Sequence, residues 1–189
     1  MTETSTKALR AVSLIGALGW TSMSLDSLRD PSGQTYRDAF ILAPLVMYAA
    51  VLAGVHLFQR HRTGTLATAG LAITQVGMLL ALIGTVGILF DIDGSEAVAF
   101  PAGPLCFMAG LAMFGYATIR AGVLPVWTGV FIILSQVNAL VIGVGLSWRA
   151  PLLPHGSYTR ALGHGAAMLA IALGLGVAER RRAPVPAAA

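Results

Sequence analysis

The sequence predicts an all-α integral membrane protein with six transmembrane helices. Of its 189 residues, 56% are hydrophobic and only 11% are charged, whereas soluble domains carry about 25% charged residues. The apolar residues are grouped in six continuous blocks of roughly membrane length, and basic residues are concentrated between alternate blocks. This composition excludes an intrinsically disordered chain, a disulfide scaffold and a nucleic-acid-binding module.

Each block is a candidate transmembrane helix, because about 20 mostly apolar residues are needed to cross a hydrocarbon core about 30 Å thick. The predicted spans are Ala8–Leu25, Ala39–Phe58, Leu66–Phe90, Ala97–Ile119, Leu124–Trp148 and Ala161–Ala178. Continuous blocks rich in Gly, Ala and Leu indicate helices rather than the alternating strands of a closed barrel. We expect residues 1–182 to form a single six-helix domain and residues 183–189 to be a disordered tail.

The charges between the spans predict their orientation. Six spans place both termini on one side of the membrane, and the positive-inside rule makes that side cytoplasmic. That side carries eight of the twelve basic residues, namely Lys7, Arg10, Arg60, Arg62, Arg120, Arg180, Arg181 and Arg182. Six of the eight acidic residues lie on the opposite side, namely Asp26, Asp30, Asp38, Asp91, Asp93 and Glu96.

A shift of the sequence by 60 residues, with one more residue after the loop, indicates an internal repeat. The matching pairs include Pro44 with Pro104, Arg60 with Arg120 and Gln75 with Gln136. The second and third helices would then repeat as the fourth and fifth, in a parallel repeat of a helical hairpin. Some transporters with parallel repeats bind substrate at the repeat interface. The alternative is chance, because apolar helices draw on few residue types.

Small residues recur along two of the predicted helices and indicate close helix packing. They are Gly70, Gly77 and Gly84 on the third helix, and Gly163, Ala167, Ala170 and Gly174 on the sixth. Such stripes bring helix backbones together and carry no functional content of their own.

Polar side chains at membrane depth are costly and are therefore candidates for binding a substrate. Gln75 lies near the middle of the third helix, and Gln136 and Asn138 lie near the middle of the fifth. If the repeat is real, the two glutamines would face each other across its interface. The alternative is a purely structural hydrogen bond between helices, worth about 0.6 kcal/mol on average.

The outward side offers candidate catalytic residues for an enzyme: Asp26, Asp91 and His164. A carboxylate backed by apolar side chains would have a raised pKa and would act as a general acid, with His164 relaying the proton. The loop before the sixth helix adds further polar residues, namely Arg149, His155 and Arg160. The alternative is that these groups form ordinary solvated ion pairs.

Other chemistries lack the residues that they require. Cys106 is the single cysteine, which excludes a thiol–disulfide relay, and the scattered histidines have no metal-ligand spacing. Ser135 is flanked by Leu134 and Gln136 and not by glycine, so it does not match the nucleophile of a membrane serine protease. We therefore expect no metal and no cofactor.

The turn Gly115–Trp127 resembles one found in small, uncharacterised six-helix bacterial membrane proteins, through the pattern G-x4-R-A-G-V-L-P-x-W. Arg120 would anchor this turn at the headgroups, Pro125 would start the next helix and Trp127 would lie at the membrane interface. The resemblance covers about a third of the chain, implies a fold only and carries no catalytic residue. We expect the protein to lie in a bacterial plasma membrane. Compact membrane-embedded terpene cyclases are similar only in architecture.

Three classes of function follow. The first is a protein that binds or carries a small hydrophobic molecule between its helices. The second is a membrane-embedded acid–base enzyme, resembling a terpene cyclase or an isomerase, that acts on a lipid-soluble substrate. The third is an accessory subunit that packs against a membrane protein partner or against a second copy of itself. In each class the lipid bilayer surrounds the chain, and nucleic acid is not a partner.

Overall fold

The computed structural model describes residues 2–30, 35–98, 102–145, 158–159 and 161–182. These residues form six long helices and one single helical turn. The elements are α1 (Glu3–Arg29), α2 (Thr35–Gln59), α3 (Thr65–Leu89), the single turn α4 (Ser95–Ala97), α5 (Gly103–Ala121), α6 (Val126–Gly145) and α7 (Ala161–Arg182). Arg149, His155 and the predicted tail 183–189 lie outside the described residues, as does Arg160.

Five of the long helices, α1, α2, α3, α5 and α7, are long and apolar enough to cross a membrane. In α6 the apolar stretch that qualifies is shorter, Val126–Asn138. The helices are therefore compatible with a membrane protein, and the all-helical prediction is confirmed for the described part of the chain.

Several helices of the structure begin or end at other residues than the predicted spans do. The first helix begins at Glu3 rather than Ala8, because the Thr2 side chain accepts a hydrogen bond from the Ser5 backbone N–H and caps the helix. The fourth long helix begins at Gly103 rather than Ala97, with Pro104 in its first turn. Proline favours that position because its missing N–H has no partner there in any case.

The six long helices form a closed ring. Each packs against the next one in chain order, and α7 returns to pack against α1. At one end of the ring, Arg10 of α1 forms a 2.8 Å ion pair with Glu179 of α7. We call this the basic end, since it also holds Arg62 and Arg181, and we call the opposite end, which holds Asp26 and Asp38, the acidic end.

Glycines allow α3 and α5 to approach closely. A Cβ atom added at Gly77 would lie 2.6 Å from the backbone nitrogen of Phe107, and one added at Gly110 would lie 2.4 Å from that of Thr74. Gly70 meets α5 in the same way, 2.7 Å from the nitrogen of Phe114. The predicted role of Gly70 and Gly77 in packing is therefore confirmed.

The hairpins α2–α3 and α5–α6 are both formed by helices that pack together. Residues matched by the 60-residue shift nevertheless differ in environment. Leu45 is 8% exposed, whereas its counterpart Leu105 is 57% exposed. The internal repeat stays a prediction.

Candidate functional site

The most distinctive polar feature of the bundle is a hydrogen-bonded chain in its interior. The Tyr48 hydroxyl on α2 lies 3.1 Å from the Ser135 Oγ on α6, which lies 2.8 Å from the His164 Nδ1 on α7. Tyr48 and Ser135 are fully buried, and His164 is 8% exposed. Three helices thus contribute one side chain each to a continuous polar path, which we call the interior chain.

The Tyr48 hydroxyl donates to Ser135, whereas the donor between Ser135 and His164 depends on the tautomer of the imidazole. In one tautomer the Ser135 hydroxyl donates its proton to Nδ1 of His164. Nδ1 is then an acceptor, so the neutral imidazole carries its proton on Nε2. Every hydroxyl proton of the chain is used in this arrangement.

Aromatic rings enclose the imidazole of His164. The ring centroid of Trp20 is 4.7 Å from that of His164, and those of Phe107 and Tyr48 are 5.6 and 6.0 Å away. Trp20 is only 5% exposed, and its indole Nε1 is buried with no hydrogen-bond partner among the described residues. A buried indole N–H usually has a partner. The site therefore combines an apolar aromatic wall with one unused donor.

Local sequence explains why His164 reaches this position. His164 precedes Gly165, where an added Cβ atom would lie 2.7 Å from the Thr21 hydroxyl and 3.2 Å from the Ala17 carbonyl oxygen. The absence of a side chain at Gly165 lets α7 approach α1 closely. That approach brings the imidazole of His164 against the ring of Trp20.

The position of His164 near the start of α7 agrees with the sequence, and its catalytic role stays a prediction. The residue lies one turn into α7, as expected, but its ring faces the bundle interior and not an outer polar mouth shared with acidic residues. Asp91 is exposed in the turn after α3 with a φ of 52°. Among the described residues, no contact joins Asp26, Asp91 and His164, so the structure does not assemble them into one site.

Asp26 belongs to a separate network at the acidic end, beyond the predicted span Ala8–Leu25. Its carboxylate accepts hydrogen bonds from the Tyr36 hydroxyl and from Arg37 Nε, the latter at 2.7 Å. Arg37 is fully buried and also donates to the Asp30 carbonyl oxygen at 2.9 Å. The Tyr36 hydroxyl, followed by Arg37, holds the pKa of Asp26 below its usual range. The expectation of a raised pKa was therefore wrong, because a guanidinium and a hydroxyl face this carboxylate.

A second buried carboxylate, Asp38, was not singled out from the sequence. It is 1% exposed and accepts a 2.6 Å hydrogen bond from the Tyr158 hydroxyl. Nearby, Ser24 donates to the Thr159 carbonyl oxygen at 2.6 Å. These bonds hold Tyr158 and Thr159 against α1 and α2.

The predicted binding residues Gln75, Gln136 and Asn138 do not meet. The Gln75 side chain donates to the Ala49 carbonyl oxygen of α2 at 2.9 Å, and α5 packs against both α3 and α6. Gln136 and Asn138 are half-buried on α6. In the described part of the chain, neither makes a side-chain hydrogen bond. The geometry thus favours the structural interpretation for Gln75.

Tyr48 and Ser135 were missed from the sequence. In the sequence, Tyr48 is one more residue of an apolar block, and Ser135 was rejected as a protease nucleophile because glycines do not flank it. The available signal was the cost of a hydroxyl at membrane depth, which applies to both as much as to Gln75.

Within the described residues, no three His, Cys, Asp or Glu side chains lie together in a way that would hold a metal ion. No protein-family model, curated protein or solved structure matches the chain. The interpretation of the site therefore depends on its own geometry.

Proposed function

We propose that this chain is a multi-pass integral membrane protein that binds a small hydrophobic molecule between its helices, beside the interior chain. The observation that carries the proposal is the hydrogen-bonded path Tyr48–Ser135–His164, built from three helices and enclosed by aromatic rings. The binding site moves from the glutamines suggested by the sequence to the centre of the ring of helices.

The polar groups of the interior chain are buried among apolar side chains, which costs free energy. Burying polar groups in an apolar interior is unfavourable unless they are hydrogen-bonded, and polar groups at membrane depth generally mark functional sites. Packing alone would be served equally well by Phe, Ala and Leu at positions 48, 135 and 164. The interior chain therefore has a purpose beyond filling space.

The chemistry of the lining suggests the class of ligand. Trp20 and Phe107 offer apolar ring surfaces, which suit a hydrophobic body. The buried indole N–H of Trp20 lacks an acceptor among the described residues, and a carbonyl or ether oxygen on the ligand would supply one. The ligand is thus a lipid-soluble molecule with at least one acceptor oxygen.

The membrane setting is part of the same proposal. Five helices of spanning length, a sixth apolar helix and the concentration of arginines at one end support insertion with both termini in the cytoplasm of a bacterium, in its plasma membrane. The exposed apolar side chains on the outside of the ring, such as Leu18 at 70%, suit contact with lipid tails.

An alternative function is acid–base catalysis on a lipid-soluble substrate. It is supported by the 2.8 Å contact between Ser135 Oγ and His164 Nδ1, because Ser135 can accept from Nδ1–H and leave Nε2 free to take a proton from the substrate and return it to the product. In that case His164 would be the acid–base group in place of Asp26 and Asp91. Turnover of the bound molecule, rather than its release unchanged, distinguishes the two.

The proposal is tested by native mass spectrometry of the protein released gently from its own membrane. We expect an added mass of a few hundred daltons on the wild-type chain and on Met168→Leu, a matched control for a fully buried α7 residue one turn away. His164→Phe should lose that mass while remaining folded. A bare wild-type mass would refute the proposal, and a shift by a whole protein would favour the accessory-subunit class.

A further inference from the structure

A cavity of about 350 Å³ opens at the basic end of the bundle, away from the interior chain. It lies between the last turns of α2, α5 and α7 and the loops that follow α2 and α5. Its polar lining comes from Gln59, His61, Arg62 and Arg181. The volume is within the range of small-molecule sites, about 300 to 1,000 Å³.

The charge of this lining is uncompensated. Among the described residues, Arg62 and Arg181 form no ion pair, whereas Arg10 on the neighbouring face is paired with Glu179. No acidic side chain lines the cavity. Two exposed guanidinium groups, Arg62 in the loop after α2 and Arg181 on α7, therefore face a shared space. This arrangement suits a phosphate because Arg binds phosphate through paired N–H donors.

Gln59 supplies a second and independent indication of a ligand. It is 1% exposed, and its Nε2 donates to the Thr118 hydroxyl at 2.8 Å. The Thr118 hydroxyl donates its proton to the Phe114 carbonyl oxygen, so it can only act as an acceptor toward Gln59. This fixes the orientation of the amide and leaves Oε1 as a buried acceptor with no partner among the described residues. The missing partner is a donor such as a hydroxyl.

We propose that this cavity binds a phosphate group carried on a hydroxylated substituent, such as a glycerol phosphate. Arg62 and Arg181 hold the phosphate, and Gln59 Oε1 accepts from an adjacent hydroxyl. The chemistry is shared by a soluble glycerol phosphate and by the headgroup of a phosphatidylglycerol lipid. This site is separate from the interior chain and does not depend on the proposed function.

The helix dipoles make the arginines essential. The cavity lies at the carboxyl ends of α2, α5 and α7, where unpaired carbonyl groups create a partial negative charge. That charge would repel an anion, so no backbone group can substitute for the guanidinium groups. Removing both arginines should leave an environment that excludes phosphate.

The test compares two double variants. Arg62→Gln with Arg181→Gln removes the lining charges, and Arg60→Gln with Arg180→Gln removes two exposed arginines one or two residues away that do not line the cavity. Both lower the net charge equally. Binding of glycerol 3-phosphate is measured by calorimetry in detergent, and binding of phosphatidylglycerol is measured by native mass spectrometry in phosphatidylcholine nanodiscs that contain it.

We expect the lining variant to lose at least about tenfold in affinity and the control variant to lose little. Binding of glycerol 3-phosphate would identify a soluble ligand, and selective retention of phosphatidylglycerol alone would identify a lipid. In either case Gln59→Leu should reduce the preference for glycerol 3-phosphate over methyl phosphate, which lacks the hydroxyls. Absence of both kinds of binding, or equal losses in the two double variants, would overturn the proposal. The mass carried beside His164 should be the same in all these variants.

Discussion

The interior chain and the acidic end are both hydrogen-bonded networks that join helices, but they differ in charge and in depth. At the acidic end, Arg37 is fully buried against Asp26, whose side chain is 40% exposed, so charge is neutralised close to water. In the interior, Tyr48, Ser135 and His164 form a hydrogen-bonded path that contains no Asp, Glu, Lys or Arg. The charged groups therefore lie at the helix ends near water, and the hydroxyl and imidazole groups of the interior chain lie where the proposed hydrophobic ligand would bind.

The largest expected effect is on stability, at the acidic end. Arg37→Met keeps the apolar stem and removes hydrogen bonds to the Asp26 carboxylate and to the carbonyl oxygens of Asp26 and Asp30. Breaking a buried pair costs 3–5 kcal/mol, and the exposure of Asp26 reduces this to about 2 kcal/mol. Thermal unfolding in detergent measures the loss. An unchanged transition would show that this network does not hold the helices together.

Tyr48→Phe tests the opposite half of the comparison. It removes one hydroxyl from the interior chain and should cost only about 1 kcal/mol of stability, since a typical hydrogen bond contributes that much. The bound mass should nevertheless fall strongly, because Ser135 loses the hydroxyl of Tyr48 that donates to it. If Tyr48→Phe unfolds the protein while Arg37→Met leaves it intact, the assignment of the two regions is reversed.

A smaller effect is expected at Gln75. Gln75→Leu removes the single bond to the Ala49 carbonyl oxygen, worth about 0.6 kcal/mol in a membrane. The bound mass should be retained, in contrast to Tyr48→Phe. Loss of that mass from Gln75→Leu or Gln136→Leu would return the ligand site to the repeat interface suggested by the sequence.

The smallest effect is a pH dependence confined to the acidic end. The pKa of Asp26 is lowered from its ordinary 3.8, chiefly by the Tyr36 hydroxyl and then by Arg37. The contribution of Asp26 to stability is therefore present above that ordinary value and is lost as pH falls through the lowered pKa. Unfolding of wild type and Asp26→Asn should differ at pH 6 and converge in acid. A constant difference across this range would contradict the account.

The elements predictable from sequence are those with a local cause. Apolar length predicts the helices, and the glycines of α3 predict that another helix approaches it closely, because both depend on residues near one another in the chain. The structure shows that this helix is α5. The site depends on which helices are neighbours in the ring. His164 was found from its residue type, whereas Ser135 acquires meaning only because α6 and α7 pack at that level.

The pKa of Asp26 likewise depends on a neighbouring helix. Asp26 was expected to be an acid because its place at a helix end is visible in the sequence. Its actual partner, Arg37, comes from the start of the next helix, and the packing of α1 against α2 brings them together. A pKa depends on the groups in space and not on position along the chain, so its direction could not be predicted.

The most direct measurement is the indole N–H resonance of Trp20 in the protein kept with its native lipids and in the same protein after its lipids are exchanged for detergent. The indole of Trp127, at the start of α6 and 38% exposed, reports the change from lipid to detergent at the protein surface. A ligand oxygen accepting from Trp20 predicts a downfield shift of the Trp20 signal with native lipids, and this shift should be abolished in His164→Phe, in which the Trp127 signal responds to the exchange as in wild type. Identical Trp20 signals in both preparations would contradict the claim that the interior of this bundle is a ligand site.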